Sequence, residues 1–210
     1  MLRYLRPLFG RLLLPLGRLL ARLGVTPTMV TLTGALGVVA SALVFYPRGE
    51  LFTGSVAVTV FVLLDMLDGA VARASGSTTK WGAFLDSTLD RLSDAAILSG
   101  LVLWSFGGGE NPALGYLTLF CLVSGFGVSY IKARAEGLGA NCDVGIAERS
   151  ERLVIVLVAV GLGGLGVPYI LPAGLGVLAL ISGITIVQRL IETRNRLTSP
   201  RRTADDSGAV

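Results

Sequence analysis

Six long apolar runs constrain the fold of this chain more than any other feature of the sequence. They lie at about residues 30–46, 51–72, 84–106, 113–131, 153–167 and 169–187. Each run is near the length that an α-helix needs to cross the ~30 Å hydrocarbon core of a bilayer. Apolar residues make up 52% of the 210 residues and charged residues 15%, which excludes a multidomain soluble protein. The sequence therefore predicts an all-α integral membrane protein with six transmembrane helices.

The ends of the chain differ from this central domain. Residues 1–24 repeat Arg among many Leu, and Arg11, Arg18 and Arg22 share one helical face. A signal peptide is disfavoured because the basic residues recur throughout and no small-residue cleavage site follows. We expect an N-terminal amphipathic helix in the membrane interface over residues 1–24, a transmembrane domain over 25–195 and a flexible polar tail over 196–210.

The positive charges predict the orientation. An even number of spans puts both termini on one side, and only Arg48 of the 18 Lys and Arg residues would then face outward. Cytoplasmic loops carry the excess of Lys and Arg in membrane proteins. We expect a multi-pass protein of the plasma membrane whose termini and polar site face the cytoplasm. Cys121 and Cys142 lie in an apolar run and a polar loop, so we expect two free thiols.

Four carboxylates interrupt the second and third apolar runs, in the segment DMLDGAVARASGSTTKWGAFLDSTLD. Asp65 and Asp68 are three residues apart and Asp86 and Asp90 four, so each pair lies on one face of a helix. The polar stretch 73–80 predicts the turn of a helical hairpin. Since a helix rises ~1.5 Å per residue, both pairs lie roughly 7–9 Å inside the same helix ends. The four carboxylates converge at one depth.

The cost of this arrangement predicts a metal centre. A carboxylate at mid-membrane costs about 2.5–3.5 kcal/mol even on the insertion scale. Arg73 and Arg91 can each neutralise one charge, whereas two divalent cations balance all four. Carboxylate oxygens suit Mg²⁺ or Mn²⁺. The alternative, a polar contact between helices, seldom brings like charges so close. We expect two Mg²⁺ ions, with Mn²⁺ as the alternative, at these carboxylates.

The spacing D-x2-D-G-x2-A-R-x8-G-x3-D-x3-D, from Asp65 to Asp90, resembles the signature of the CDP-alcohol phosphotransferase family, with all eight fixed positions present. The resemblance extends over about residues 26–189. The segments FVLLDMLDGAVAR, SYIKARAEG and ERSERL look most like actinobacterial members that act on a phosphorylated inositol. The resemblance also implies a homodimer.

The resemblance further implies a reaction, the transfer of a phosphatidyl group from CDP-diacylglycerol to 1D-myo-inositol 3-phosphate with release of CMP. In that reaction Asp90 is the general base and can also touch metal, while Asp65, Asp68 and Asp86 are metal ligands. The residues that the resemblance places at CDP-diacylglycerol are Thr28, Met29, Val30, Thr31, Gly69, Arg73 and Thr79.

Basic residues at three further helix ends predict where the acceptor binds. Lys132, Arg152 and Arg189 follow or begin apolar runs at the cytoplasmic side. Arg and Lys are the usual partners of phosphate oxygens, so an acceptor that itself carries phosphate is favoured. The remaining basic residues of these ends are expected to meet lipid headgroups, with the acceptor pocket as the alternative; they are Arg134, Arg149 and Arg194.

Other functions are compatible with the same sequence features. A synthase that uses glycerol 3-phosphate to make phosphatidylglycerophosphate fits the same motif. An ion or proton-coupled transporter also carries carboxylates within its spans. A structural scaffold is weaker because it leaves the four carboxylates without a purpose. No nucleic-acid partner is expected.

Overall fold

The computed structural model describes residues 15–76, 79–146 and 149–198. Residues 15–22 form a helical segment, α1. The helices that follow are α2 (Pro27–Phe45), α3 (Leu51–Asp65), α4 (Asp68–Ser75), α5 (Lys80–Phe106), α6 (Pro112–Gly137), α7 (Arg149–Gly164) and α8 (Ile170–Thr198), with a 3₁₀ turn at Tyr46–Arg48. This part of the chain contains no strand, which confirms the all-α prediction.

The outer surface is apolar, as expected of a multi-pass membrane protein. Four stretches are long and apolar enough to span a membrane: Pro27–Arg48, Leu51–Ala74, Pro112–Gly137 and Ile170–Thr198. The predicted count of six is not reached by this measure. The reason is that α7 has 16 residues, while α5 carries five charged residues.

The helices form a closed ring, in which neighbours contact one another in the order α2, α3, α7, α8, α6, α5 and again α2. Fully buried side chains such as Val58, Leu101 and Leu175 fill its centre. Gly100 lets α5 approach α2 closely, since a Cβ there would lie 2.5 Å from the Ala42 carbonyl oxygen. Short connections make α2 and α3, α5 and α6, and α7 and α8 antiparallel. The starts of α2 and α5 therefore meet the end of α3 at one end of the ring, and Arg149 ties the start of α7 to the same part of α5.

The second apolar run is not one helix. It turns at Met66 and Leu67, so α3 ends at Asp65 and α4 begins at Asp68. Our prediction that one continuous helix carries both carboxylates is therefore wrong, although Asp65 and Asp68 still come together. The physical reason is tertiary packing: Leu67 and Val71 are buried in a small core with Val30 of α2, which fixes α4 beside the start of that helix.

Contacts at the chain ends refine the predicted boundaries. Gly17 of α1 packs on α4, because a Cβ there would lie 2.7 Å from the Ala70 carbonyl carbon. Helix α8 continues through Thr198, so residues 196–198 of the predicted tail are helical. Residues 1–14 of the predicted interfacial helix and 199–210 of the tail lie outside the described residues. Both cysteines are free thiols, as predicted, and both are buried.

Candidate active site

Three carboxylates meet at the end of the ring where α3, α4 and α5 come together. One oxygen each of Asp65, Asp68 and Asp86 lies within 4.8 Å of the other two. Asp65 Oδ1 is buried and has no hydrogen-bond partner in the described part of the chain. Clustered, unneutralised oxygen donors are the ligand set that Mg²⁺ or Mn²⁺ prefers. The residues present therefore fit a divalent cation.

Thr31 of α2 orients one of these carboxylates. Its hydroxyl lies 2.8 Å from Asp68 Oδ2 and 3.0 Å from the carbonyl oxygen of Pro27, one turn earlier. The backbone N–H of Gly69 donates to the other oxygen, Asp68 Oδ1. Thr31 is buried, and its hydroxyl contacts the carboxylate of Asp68 directly. The family resemblance implied a nucleotide contact for Thr31 and gave no sign of this contact with Asp68.

A glycine of α2 leaves the space that Asp65 occupies. A Cβ added to Gly34 would lie 2.8 Å from Asp65 Cβ and 3.1 Å from Asp65 Oδ1. Such distances are shorter than van der Waals contact, so only glycine permits this approach of α2 to α3. Gly34 was not predicted as a site residue, because one Gly in an apolar run carries no signal of its own.

Asp90 does not join the three-carboxylate cluster but pairs with an arginine. Arg149 Nη1 lies 2.9 Å from Asp90 Oδ1. The same guanidinium donates from Nε to Asp94 Oδ2 at 3.1 Å and from Nη2 to Asp94 Oδ1 at 2.8 Å. Our expectation that Arg149 meets lipid headgroups is wrong, because its guanidinium turns inward to α5. Asp94 was overlooked, although it continues the four-residue spacing of Asp86 and Asp90.

The residues predicted to contact the donor lie beside the carboxylate cluster. Val30 packs in the small core with Leu67, so its side chain is taken up by packing. A Cβ on Gly69 would meet only the Arg73 guanidinium, at 3.3 Å, so no other described residue fills this space. Thr79 caps α5 by accepting the Gly82 N–H. The others stand at exposed or half-buried positions: Thr28, Met29 and Arg73.

Two of the predicted acceptor residues hold a loop. Lys132 Nζ lies 2.6 Å from Asp143 Oδ1, and this ammonium lowers the pKa of the Asp143 carboxyl. Arg189 Nε donates to the carbonyl oxygen of Val144 at 3.0 Å, and its Nη1 donates to that of Val128. Both residues therefore tie the segment after α6 to the bundle.

The third, Arg152, lines a cavity of about 50 Å³ between α5, α6, α7 and α8. Arg91, Asp94 and Arg149 form the rest of its charged wall. Arg152 Nε is buried without a hydrogen-bond partner among the described residues, and so is Ser182 Oγ in the same cavity. Lys132 and Arg189 are not among its lining residues, so these contacts do not bring the three predicted acceptor residues into one cavity.

Comparison with known proteins gives the class of enzyme. The family model of CDP-alcohol phosphatidyltransferases matches residues 24–191. The chain belongs to this family, as its acidic motif predicted, and is therefore a transferase. Its relatives and the similar solved structures point to one kind of enzyme within this family.

The phosphatidylinositol phosphate synthase of Streptomyces avermitilis is 47% identical over 221 residues, which cover 99% of this chain and 91% of that protein. That of Mycolicibacterium smegmatis is 46% identical over 198 residues, with 93% and 88% covered.

Solved structures of the Mycobacterium tuberculosis phosphatidylinositol phosphate synthase have the same fold. The structure in complex with manganese and citrate superimposes with a TM-score of 0.83 at 44% identity and covers 91% of this chain and 93% of that one. The structure with CDP-DAG bound gives 0.82 at 44% identity, with 95% and 100% covered. The manganese complex and the acidic cluster together support a divalent metal in this site.

Filling the space at Gly34 should weaken metal binding. The Cβ in Gly34→Ala must displace Asp65, and overpacking of this kind costs about 1–3 kcal/mol. Since about 1.4 kcal/mol is a factor of ten, Mn²⁺ affinity measured by calorimetry should fall roughly tenfold. The control is Gly176→Ala in α8, whose Cβ would meet nothing within 4 Å. Equal Mn²⁺ affinity in both variants would contradict this account.

Proposed function

We propose that the chain is a phosphatidylinositol phosphate synthase that transfers the phosphatidyl group of CDP-diacylglycerol to 1D-myo-inositol 3-phosphate and releases CMP. The observation that carries the proposal is the cluster of Asp65, Asp68 and Asp86, with oxygens within 4.8 Å of one another at the end of an apolar ring. A transporter offers no reason for the adjoining glycine and arginine of α4, Gly69 and Arg73.

The carboxylates are the proposed holders of Mg²⁺ or Mn²⁺, two ions in all. Asp65, Asp68 and Asp86 would hold the ions, and Asp90 would be a further ligand. Bound there, the ions supply Lewis acidity and neutralise charge on the donor diphosphate. Membership of the family and the fit of the oxygen donors support this assignment.

The donor lies beside α4 and the start of α2 in this proposal. The exposed Arg73 guanidinium stands one turn after Gly69, where the missing side chain leaves room for a diphosphate. Thr28, Met29, Val30, Thr31 and Thr79 surround the nucleotide, with Val30 offering its backbone. The diacylglycerol tails remain in the bilayer beside the apolar outer surface.

Asp90 acts on the acceptor. Its carboxylate takes the proton of the acceptor hydroxyl as that oxygen bonds to the phosphatidyl phosphorus. The bond between this phosphorus and the CMP oxygen breaks, and CMP leaves with the electron pair. The position of Asp90 outside the three-carboxylate cluster supports this role, since its oxygens are not all committed to metal.

Cations select the acceptor by its phosphate. Arg152 is the strongest candidate because its Nε is buried in the cavity without a partner among the described residues. Lys132 and Arg189 complete the proposed phosphate site, exchanging contacts with the loop for contacts with the ligand. An acceptor without phosphate would leave the buried Nε of Arg152 without a hydrogen-bond partner, which costs affinity.

The proposed topology has six spans and cytoplasmic termini. Helices α5 and α7 complete the set because each lies in the ring between two of the four membrane-spanning stretches. Arg48 lies at the end of the ring opposite the carboxylates, so the active site faces the cytoplasm. We also propose that α1 lies in the membrane interface, that the polar tail has no fixed contacts and that two copies form a homodimer.

Acceptor choice is tested by CMP release. The purified protein should release CMP from CDP-diacylglycerol with 1D-myo-inositol 3-phosphate and far less with myo-inositol or glycerol 3-phosphate. Arg152→Ala should raise the acceptor KM about tenfold or more, since a hydrogen bond to a charged group is worth ~1.5–3 kcal/mol. The KM for CDP-diacylglycerol should stay unchanged in this variant. In the control variant Arg196→Ala, the KM values for the acceptor and for CDP-diacylglycerol should both stay unchanged. Preference for unphosphorylated inositol would refute the proposal.

The orientation is tested by cysteine labelling. Cys121 and Cys142 are both buried, so the wild-type protein should resist a membrane-impermeant maleimide and serves as the control. Gly108→Cys, in the loop after α5, should be labelled in intact cells. Arg194→Cys, at the exposed end of α8, should be labelled only after permeabilisation. The reverse pattern would put the active site outside.

A further inference from the structure

A chain of three charged residues links α5 to the start of α7. Arg149 Nε and Nη2 both donate to the carboxylate of Asp94, at 3.1 and 2.8 Å. Arg149 Nη1 reaches Asp90 Oδ1 at 2.9 Å, and Nη2 also donates to the Asp90 carbonyl oxygen at 3.2 Å. All three guanidinium nitrogens are thus engaged with residues one turn apart on α5.

This geometry fixes the direction of the Arg149–Asp90 contact. Two parallel hydrogen bonds to one carboxylate hold the guanidinium in a defined plane. With Nε and Nη2 occupied by Asp94, Nη1 has a single direction, and it points at one oxygen of Asp90. A lysine has one nitrogen and cannot make both contacts in this way. Neutralising the charge of Asp90 would not by itself require the paired hydrogen bonds between Arg149 and Asp94.

The three charged residues Asp94, Arg149 and Asp90 also lie next to the proposed acceptor site. Arg149 and Asp94 line the cavity that contains the unpartnered Arg152 Nε, whereas Asp90 does not line it. Arg149 therefore touches the proposed base on one side and the proposed acceptor cavity on the other. A residue that only held α5 and α7 together would not need to contact the proposed base or the proposed acceptor cavity.

We propose that Arg149, oriented by Asp94, is a positioning residue that holds Asp90 for transfer of the acceptor proton. Arg149 fixes Asp90 Oδ1, so that Oδ2 faces the acceptor hydroxyl and accepts its proton as the new oxygen–phosphorus bond forms. This inference rests on the proposed function. It adds Arg149 and Asp94 to the residues on which turnover depends.

The test compares Asp94→Asn, Arg149→Lys and the double variant with wild type in the CMP-release assay. Loss of orientation should lower kcat about tenfold or more in each single variant, because small misplacements of catalytic groups have large effects on rate. The KM for CDP-diacylglycerol and the affinity for Mn²⁺ should change less than about threefold. The double variant should be no slower than the slower single variant, since both act through one contact.

Several outcomes would overturn the inference. Wild-type kcat in Arg149→Lys would mean that charge alone matters. Losses that multiply in the double variant would mean that the residues act separately. If Mn²⁺ affinity fell in parallel with kcat, the contacts among Asp94, Arg149 and Asp90 would serve only to hold α5 and α7 together.

The matched control is Glu192→Gln, which removes the Arg196–Glu192 pair near the end of α8 and should keep wild-type kcat. A lowered kcat in Glu192→Gln would equally count against a specific role of the Arg149 contacts. If wild type itself releases no CMP with inositol phosphate, the proposed function fails. Active wild type with unchanged variants refutes only this inference.

Discussion

The carboxylates of Asp65, Asp68 and Asp86 have oxygens within 4.8 Å of one another at one end of a ring whose outer surface is apolar. Like charges at this distance repel one another, and partial burial of the three carboxylates reduces the screening by water. A divalent cation bound by these oxygens would relieve this repulsion. The same cations are what a diphosphate donor requires, so one electrostatic constraint connects the fold to the chemistry.

The surrounding helices hold the carboxylates in this unfavourable arrangement. Gly34 lets α2 approach Asp65, and Thr31 of the same helix binds Asp68. The fourth carboxylate, Asp90, is drawn to Arg149 of α7. Helices α2 and α7 thus divide the four acidic residues into a cluster of three that fits metal and one that is held separately.

The sequence predicted the class of fold, the family and the acidic residues, because these depend on hydrophobic length and on a fixed spacing. It did not predict the turn at Met66 and Leu67, which arises from burial against Val30 in a distant part of the chain. It also gave Arg149 the wrong partner, since charge along a helix end does not say whether a guanidinium points to lipid or to Asp94. Such contacts depend on how helices pack in the ring.

Thermal stability with and without metal tests the central claim most directly. In chelator, Asp65→Asn should melt at a higher temperature than wild type, because it removes a half-buried negative charge from the acidic cluster while keeping the shape of the side chain. In excess Mn²⁺ the order should reverse, because wild type binds the ion in its folded state and gains stability by mass action. A variant less stable than wild type in both conditions, or no effect of Mn²⁺ on wild type, would contradict the account.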